Sequence, residues 1–214
     1  VKYKVKKYIF ASSGSIYGIK KEKKVTEKLG LEPITDYNKS KMICEKVILS
    51  YKDNIDTVIL RPATVCGFSN RQRLDVVLNI FCYQAYFKKK ITVYGGNQIR
   101  PLLHIKDMIA AYEFFIKNNI TGIFNVGFEN VKVSTIAEEV NKIIPCKIFT
   151  LKSSDPRSYR MNSDKIIKKG FVPKYDFIDA ILDLKNSFEK GFKPNEQNWN
   201  LNWLLKKKVI SKSA

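Results

Sequence analysis

The sequence predicts an α/β fold built on a parallel sheet, and three successive segments predict it. Lys4-Val5-Lys6-Lys7-Tyr8-Ile9-Phe10-Ala11 reads as a short buried strand that ends in the small hydroxyl residues Ser12 and Ser13, where a parallel sheet presents its carboxyl edge. Pro33 with Thr35 or Asp36 supplies a helix start, and Met42, Ile43, Val47 and Ile48 recur at helical spacing down to Lys52. Thr57-Val58-Ile59-Leu60 is a second apolar strand, closed by Arg61-Pro62 and a loop through Gly67. Strand, helix and strand in that order make one parallel crossover unit.

Ligands of open α/β sheets bind at the carboxyl ends of the strands, so the residues gathered there carry the functional reading. Tyr37 and Lys41 stand four apart in the first turns of the predicted helix, which puts a phenol and an ammonium on one face. The ammonium's field favours the phenolate. A hydroxyl from Ser12-Ser13-Gly14-Ser15 would hold a substrate oxygen against it, and the three together are a proton-transfer device. A Tyr-x-x-x-Lys spacing alone arises by chance in a chain with eleven tyrosines; the strand end and helix start around it give it meaning.

Further along, Ile91-Thr92-Val93-Tyr94 alternates as a strand. Asp107 is expected to cap a helix over Met108 to Ile116, with His104, the one histidine, in a packing or hydrogen-bonding role. Lys117-Asn118-Asn119 and Ser153-Ser154-Asp155-Pro156 are turn signals. The segment from Asn195 to Ala214 carries Trp199, Trp203, Leu204 and Leu205 followed by lysines and suits a short amphipathic helix with a basic end.

Composition bounds the function classes. With 44% hydrophobic and 28% charged residues the chain is ordinary for a soluble globular protein, and the longest apolar run, Ile109 to Ile116, falls far short of a membrane span. Cys44, Cys66, Cys82 and Cys146 are irregularly spaced without a Cys-x-x-Cys pair, which fits reduced core thiols in a cytoplasmic protein and no metal site. The formal charge of +19 has two readings. One is a nucleic-acid partner met through phosphate contacts. The other is a solvated lysine-rich surface with a modest attraction for anionic small molecules, and the spread of lysines along the whole chain favours it.

The motifs together resemble the extended short-chain dehydrogenase/reductases, the NAD-dependent epimerase/dehydratase family that acts on nucleotide-diphosphate sugars. Ser12-Ser13-Gly14-Ser15-Ile16-Tyr17-Gly18, Tyr37-x-x-x-Lys41, Leu60-Arg61-Pro62-Ala63-Thr64-Val65-Cys66-Gly67 and the run from Ile91 to Asp107 stand in that family's order and spacing. Phe124-Asn125-Val126-Gly127 and Asp155-Pro156-Arg157-Ser158-Tyr159-Arg160 continue the match. The resemblance covers nearly all of residues 3 to 190.

It implies roles residue by residue. Ser13 stands where the family holds the sugar hydroxyl being oxidised, with capping of the strand end as its structural alternative. Tyr37 resembles the base, and Lys41 the residue that favours its phenolate and bonds the nicotinamide ribose. Ser12, Tyr37, Lys41, Pro62, Ala63 and Val65 are the expected contacts to NAD or NADP. Thr64 stands where the epimerases often carry asparagine. Together with Ser13, Thr92, Tyr94, Arg100, Asp155 and Arg157 it makes the expected nucleotide-sugar site, Arg100 being suited to clamp a diphosphate with its planar donors. Alternation would equally make Thr92 and Tyr94 plain exposed strand positions. The resemblance further implies a homodimer for the full-length protein, with no membrane and no nucleic acid as partners.

The same motifs choose among reactions. Sugar dehydratases of this family carry an acid two residues before the tyrosine of the Tyr-Gly pair, and here that position is Ser15, preceded by Gly14. A neutral residue there cannot protonate a leaving hydroxyl, so 4-epimerisation is expected, with 4-ketone reduction by the same residues, or dehydration within the same family, as the alternatives. The Gly-x-x-Gly-x-x-Gly turn that holds the cofactor pyrophosphate is absent. The chain is therefore expected to be the carboxyl-terminal part of a longer enzyme, inactive alone. Its expected fold is a partial Rossmann-like parallel sheet without its amino-terminal βαβ half, plus a smaller mixed α/β substrate lobe. Residues 1–70 would complete the cofactor domain, 71–190 would form mainly the substrate lobe with a strand near 122–127 returning to the sheet, and 191–214 a basic tail. A non-catalytic RNA-binding relative and an inactive remnant are the readings from other classes.

Overall fold

The computed structural model describes residues 3–152 and 158–207. In chain order the elements are β1 (Lys7–Ala11), a 3-10 turn (Gly14–Tyr17), α1 (Asp36–Leu49), β2 (Asp56–Pro62), β3 (Thr64–Cys66), α2 (Val77–Lys88), β4 (Lys90–Tyr94), β5 (Ile99–His104) and α3 (Ile105–Lys117). There follow β6 (Gly122–Val126), β7 (Glu129–Lys132), α4 (Val133–Ile143), β8 (Lys147–Leu151), α5 (Asp164–Ile167), α6 (Phe177–Glu189), a second 3-10 turn (Glu196–Asn198) and α7 (Asn200–Lys206). No described helix is long and apolar enough to cross a membrane.

The chain folds as two compact units. The first takes residues 3–65, 98–131 and 158–176, the second 66–97, 132–152 and 177–207. This division is interleaved along the chain. Its physical reason lies in β6, which pairs parallel with β2 so that Leu60 faces Phe124 and Pro62 faces Val126. Phe124, Val126, Leu103, Met108, Phe115, Met161 and Phe171 then share one buried cluster with Val58 and Leu60, and their chain segments go with them.

In the first unit β1, β2 and β6 form a parallel sheet in that order. The run from Thr57 to Arg61 in β2 is wholly buried, as expected of a strand covered on both faces. A second sheet has the order β3-β5-β7. Helix α1 starts because the Thr35 hydroxyl accepts the Asn38 N–H at 3.3 Å and Asp36 lies in the first turn.

Helix α3 corrects an expectation. Its cap is His104, whose Nδ1 accepts the Lys106 N–H at 3.1 Å and whose ring stacks on Tyr175 with centroids 4.9 Å apart. Asp107, expected as the cap, is buried in the first turn instead, where its carboxylate accepts the backbone N–H groups of Lys174 and Tyr175 at 3.0–3.1 Å. It thereby ties a distant loop to the helix.

The second unit sets the parallel pair β4 and β8, with Tyr94 opposite Leu151, against helices α2 and α4. Helix α6 packs on α2 through Phe188, which meets Tyr86 and Phe87 at 5.4 and 5.1 Å between ring centroids. The carboxyl-terminal segment folds back on this unit. Leu74 N–H donates to the Asn198 carbonyl at 2.7 Å, Asn198 Nδ2 donates to the Gln72 carbonyl at 2.9 Å, and Trp199 meets Tyr83 edge-on at 5.1 Å. Of the cysteines, Cys66 and Cys82 are buried, Cys146 is half-buried and Cys44 is exposed on α1, so not all four are core thiols.

Candidate active site

The site is built where β1 ends. Ser12 extends the parallel register by donating its N–H to the Leu60 carbonyl at 2.8 Å, and its own side chain is buried, 3% exposed, with no hydrogen-bond partner for Oγ among the described residues. The chain then turns sharply. Ser13 caps the 3-10 turn with extended backbone, its Oγ accepting the Ser15 N–H at 3.2 Å and lying 2.7 Å from Ser15 Oγ. Gly18 closes the turn at φ 73° and ψ −138°, a conformation open to glycine, and a Cβ there would stand 2.1 Å from the Glu32 carbonyl oxygen.

Helix α1 brings the second part. Tyr37 is 56% exposed in its first turn, and Lys41 lies one turn on with Nζ 5.7 Å from the centre of the Tyr37 ring. Lys41 Nζ donates to the Ala11 carbonyl at 2.8 Å, the residue just before Ser12 and Ser13. Ser15 Oγ donates to Asn38 Oδ1 at 2.6 Å. Two bonds thus join α1 to the end of β1, and Ser12, Ser13, Tyr37 and Lys41 belong to one edge of one sheet.

The neighbouring strands complete that edge. Pro62 is the last residue of β2, and Ala63 donates its N–H to the Val126 carbonyl at 2.8 Å. Thr64 and Val65 follow in β3, half-buried. A Cβ on Gly127 would lie 2.4 Å from Ala63 Cβ, so glycine there permits the close approach of the two strand ends. Arg100 lies half-buried in β5 of the same unit. Thr92 and Tyr94 belong to the second unit; Thr92 donates its N–H to Gln84 Oε1 at 3.0 Å, and Tyr94 is exposed. Asp155 and Arg157 lie outside the described residues.

Beneath the edge runs a buried polar network that the sequence reading did not assign. Arg61 on β2 and Glu45 on α1, both nearly inaccessible, make a two-fold contact, and Arg61 Nη1 donates to the Tyr17 hydroxyl at 2.8 Å. Tyr17 in turn donates to Asn125 Oδ1 on β6 at 2.8 Å, and Asn125 Nδ2 donates to the carbonyls of Val25 and Asn162 at 3.0 and 3.1 Å. Burial pushes the Tyr17 phenol above its ordinary value despite the lowering pull of Arg61. For Arg61, burial works against the charge, but the hydrogen bonds and charge of Glu45 outweigh it and hold the guanidinium protonated. The signal for this network is the charge in an apolar strand, since a buried arginine requires a partner.

A hydroxyl-rich turn at the carboxyl edge of a parallel sheet, faced by a helix-borne Tyr-Lys pair, defines a short-chain dehydrogenase/reductase of the extended type. Residues 1–127 match the model of the NAD dependent epimerase/dehydratase family, and the chain belongs to that family. It is similar to the UDP-glucose 4-epimerase of Lactobacillus helveticus, 28% identical over 206 residues that cover 83% of this chain and 62% of the relative. The dTDP-D-glucose 4,6-dehydratase of Homo sapiens is 26% identical over 213 residues, covering 92% and 59%. Among solved structures, the UDP-glucuronic acid 4-epimerase of Bacillus cereus, in complex with UDP-glucuronic acid and NAD, matches with a TM-score of 0.75 and 26% identity over 87% of this chain and 62% of that one. The chain spans about three fifths of the length of these relatives.

Proposed function

We propose that this chain carries the proton-transfer and sugar-binding residues of an NAD-dependent nucleotide-sugar 4-epimerase. The observation that carries the reading is the bond from Lys41 to the Ala11 carbonyl, which anchors the Tyr37–Lys41 pair against the strand end that presents Ser12 and Ser13. The relatives that act on UDP-sugars support the substrate class.

The residues at the edge fit NAD. A buried hydroxyl without a protein partner is costly, and Ser12 Oγ is such a group; a ligand group at the edge would satisfy it. Ser12, Tyr37, Lys41, Pro62, Ala63 and Val65 would hold the nicotinamide end. Bound there, NAD would supply reversible hydride acceptance at the reacting sugar carbon.

The chain's own residues handle the proton. Tyr37 as phenolate takes the proton of the sugar hydroxyl, and Lys41 stabilises that phenolate by its charge. Ser13 Oγ orients the sugar hydroxyl. Once the keto-sugar has turned in the site, Tyr37 returns the proton to the keto oxygen and the opposite configuration results. Arg100, with its forked donors, suits the diphosphate, and Thr64 in the same unit is a proposed contact to the sugar nucleotide. Ser15 argues against dehydration: its hydroxyl is engaged by Asn38 and Ser13 and cannot act as the acid that expels water.

The test is turnover of UDP-glucose and related UDP-, GDP- and dTDP-sugars by the protein of the complete reading frame, with product configuration read by NMR. Tyr37→Phe is expected to lower kcat by about a hundredfold or more. Turnover unaffected by that substitution removes Tyr37 as the base.

A further inference from the structure

The hydroxyls of the serine turn are wired in one direction, and the direction is set on α1. Asn38 Oδ1 accepts from Ser15 Oγ at 2.6 Å. A carbonyl oxygen can only accept, so Ser15 spends its single hydroxyl proton there. The 2.7 Å contact between Ser13 Oγ and Ser15 Oγ must then run from Ser13 to Ser15. Ser13 Oγ also takes the Ser15 N–H at 3.2 Å. Its one proton is turned inward, and what it has left to offer a ligand is a lone pair. The Asn38 backbone N–H is held by Thr35 Oγ1 at 3.3 Å, and the residue is only 7% exposed.

We infer that Asn38 is a positioning residue which, acting through Ser15, holds the Ser13 hydroxyl as a hydrogen-bond acceptor and so makes the site select a sugar hydroxyl at the reacting carbon. This rests on the epimerase reading above. The single proton of the sugar O–H is directed at Ser13 Oγ in the ground state and passes to Tyr37 as hydride leaves the same carbon for the bound cofactor and the carbonyl forms. Tyr37, now protonated, is the donor that the keto oxygen needs. Ser13 keeps its own proton throughout, because the chain ends on an amide oxygen that cannot take one up.

The test is a binding measurement in the Tyr37→Phe protein of the complete reading frame, loaded with NAD, where turnover is blocked and Ser13 is the remaining acceptor. Calorimetry compares UDP-glucose with UDP-4-deoxy-4-fluoroglucose, whose fluorine cannot donate. With Asn38 and Ser15 intact the hydroxyl sugar is expected to bind about five- to tenfold tighter. Asn38→Ala and, separately, Ser15→Ala should bring that ratio close to one, and neither should change it further once Ser13→Ala is present. Ser15→Thr, which keeps the hydroxyl, should restore it. Equal affinity for the two sugars with the relay intact, or a preference that survives both Asn38→Ala and Ser15→Ala, overturns the inference. Turnover remaining in Tyr37→Phe instead overturns the assignment of the base, which separates the two failures.

Discussion

Arg61 and Glu45 face each other inside the first unit through two hydrogen bonds, Nε to Oε1 at 3.0 Å and Nη2 to Oε2 at 2.6 Å. Glu45 follows Lys41 by one helical turn and Tyr37 by two, so the three form a stripe down α1. The ion pair therefore sets the rotation and height of the helix that carries Tyr37 and Lys41.

Arg61→Met leaves the Glu45 carboxylate buried without its partner, and the expected loss of stability is about 3–5 kcal/mol. Adding Glu45→Leu should recover much of it, because the uncompensated charge is gone. Urea unfolding of the two variants beside the parent protein measures both effects.

Stability should fall in alkali. The Tyr17 phenol is raised in the folded state by burial, so its contribution is complete below the ordinary tyrosine value near ~10 and is lost as pH rises through that region. The buried Cys82 thiol, pushed well up by burial, adds to the same decline from about 9 upward. Tyr17→Phe should melt lower at pH 8, through loss of its bonds to Arg61 and Asn125, yet show a shallower fall above pH 10. Melting temperatures taken across that range check the slope.

Lys41 donates to the Ala11 carbonyl and lies 5.7 Å from the centre of the Tyr37 ring, and the proposed reaction has it assist proton transfer at Tyr37. Lys41→Met should lower kcat by about a hundredfold. Lys41→Arg should not restore it, because a planar guanidinium cannot take the place of a compact ammonium between the strand end and the ring. Steady-state kinetics in the complete reading frame read the result, and full activity in Lys41→Arg would contradict the geometry.

Gly18→Ala puts a Cβ 2.1 Å from the Glu32 carbonyl oxygen at a φ of 73°. Backbone must move to relieve it, so a loss of at least ~2 kcal/mol is expected. Gly170→Ala, also at positive φ but with open space around it, should cost less, about 1 kcal/mol. Paired denaturation curves separate the clash from the strain.

The first crossover was legible because its cues are local. An apolar run ending in serines, a threonine cap and helical spacing from Met42 to Ile48 each act within a few residues, although β1 proper begins only at Lys7 and α1 ends at Leu49. What the sequence hid depends on distant partners. Asp107 looked like a cap because aspartate often is one, but its ligands are backbone N–H groups some seventy residues on, and a histidine nitrogen caps in its place. The pairing of Ser15 with Asn38 likewise crosses from the turn to the helix, and nothing in either segment alone specifies it. The placement of Tyr37 and Lys41 one turn apart on α1 followed from the strand end and helix start around them, whereas the Arg61–Glu45 contact was announced only by a charge inside a strand.

The interleaving of the two units has a consequence for synthesis. Each unit draws on three stretches of chain, and the first takes its last stretch from residues 158–176. A ribosome making this chain releases β1, α1 and β2 before β6, which must emerge before β2 gains its second neighbour, and Met161, Ile166 and Phe171 must follow before the cluster around Leu60 is whole. Neither unit can be cut out as one contiguous stretch of gene. A nascent chain halted near residue 100 would hold Tyr37 and Lys41 beside a sheet still open at β2, a state suited to chaperone capture.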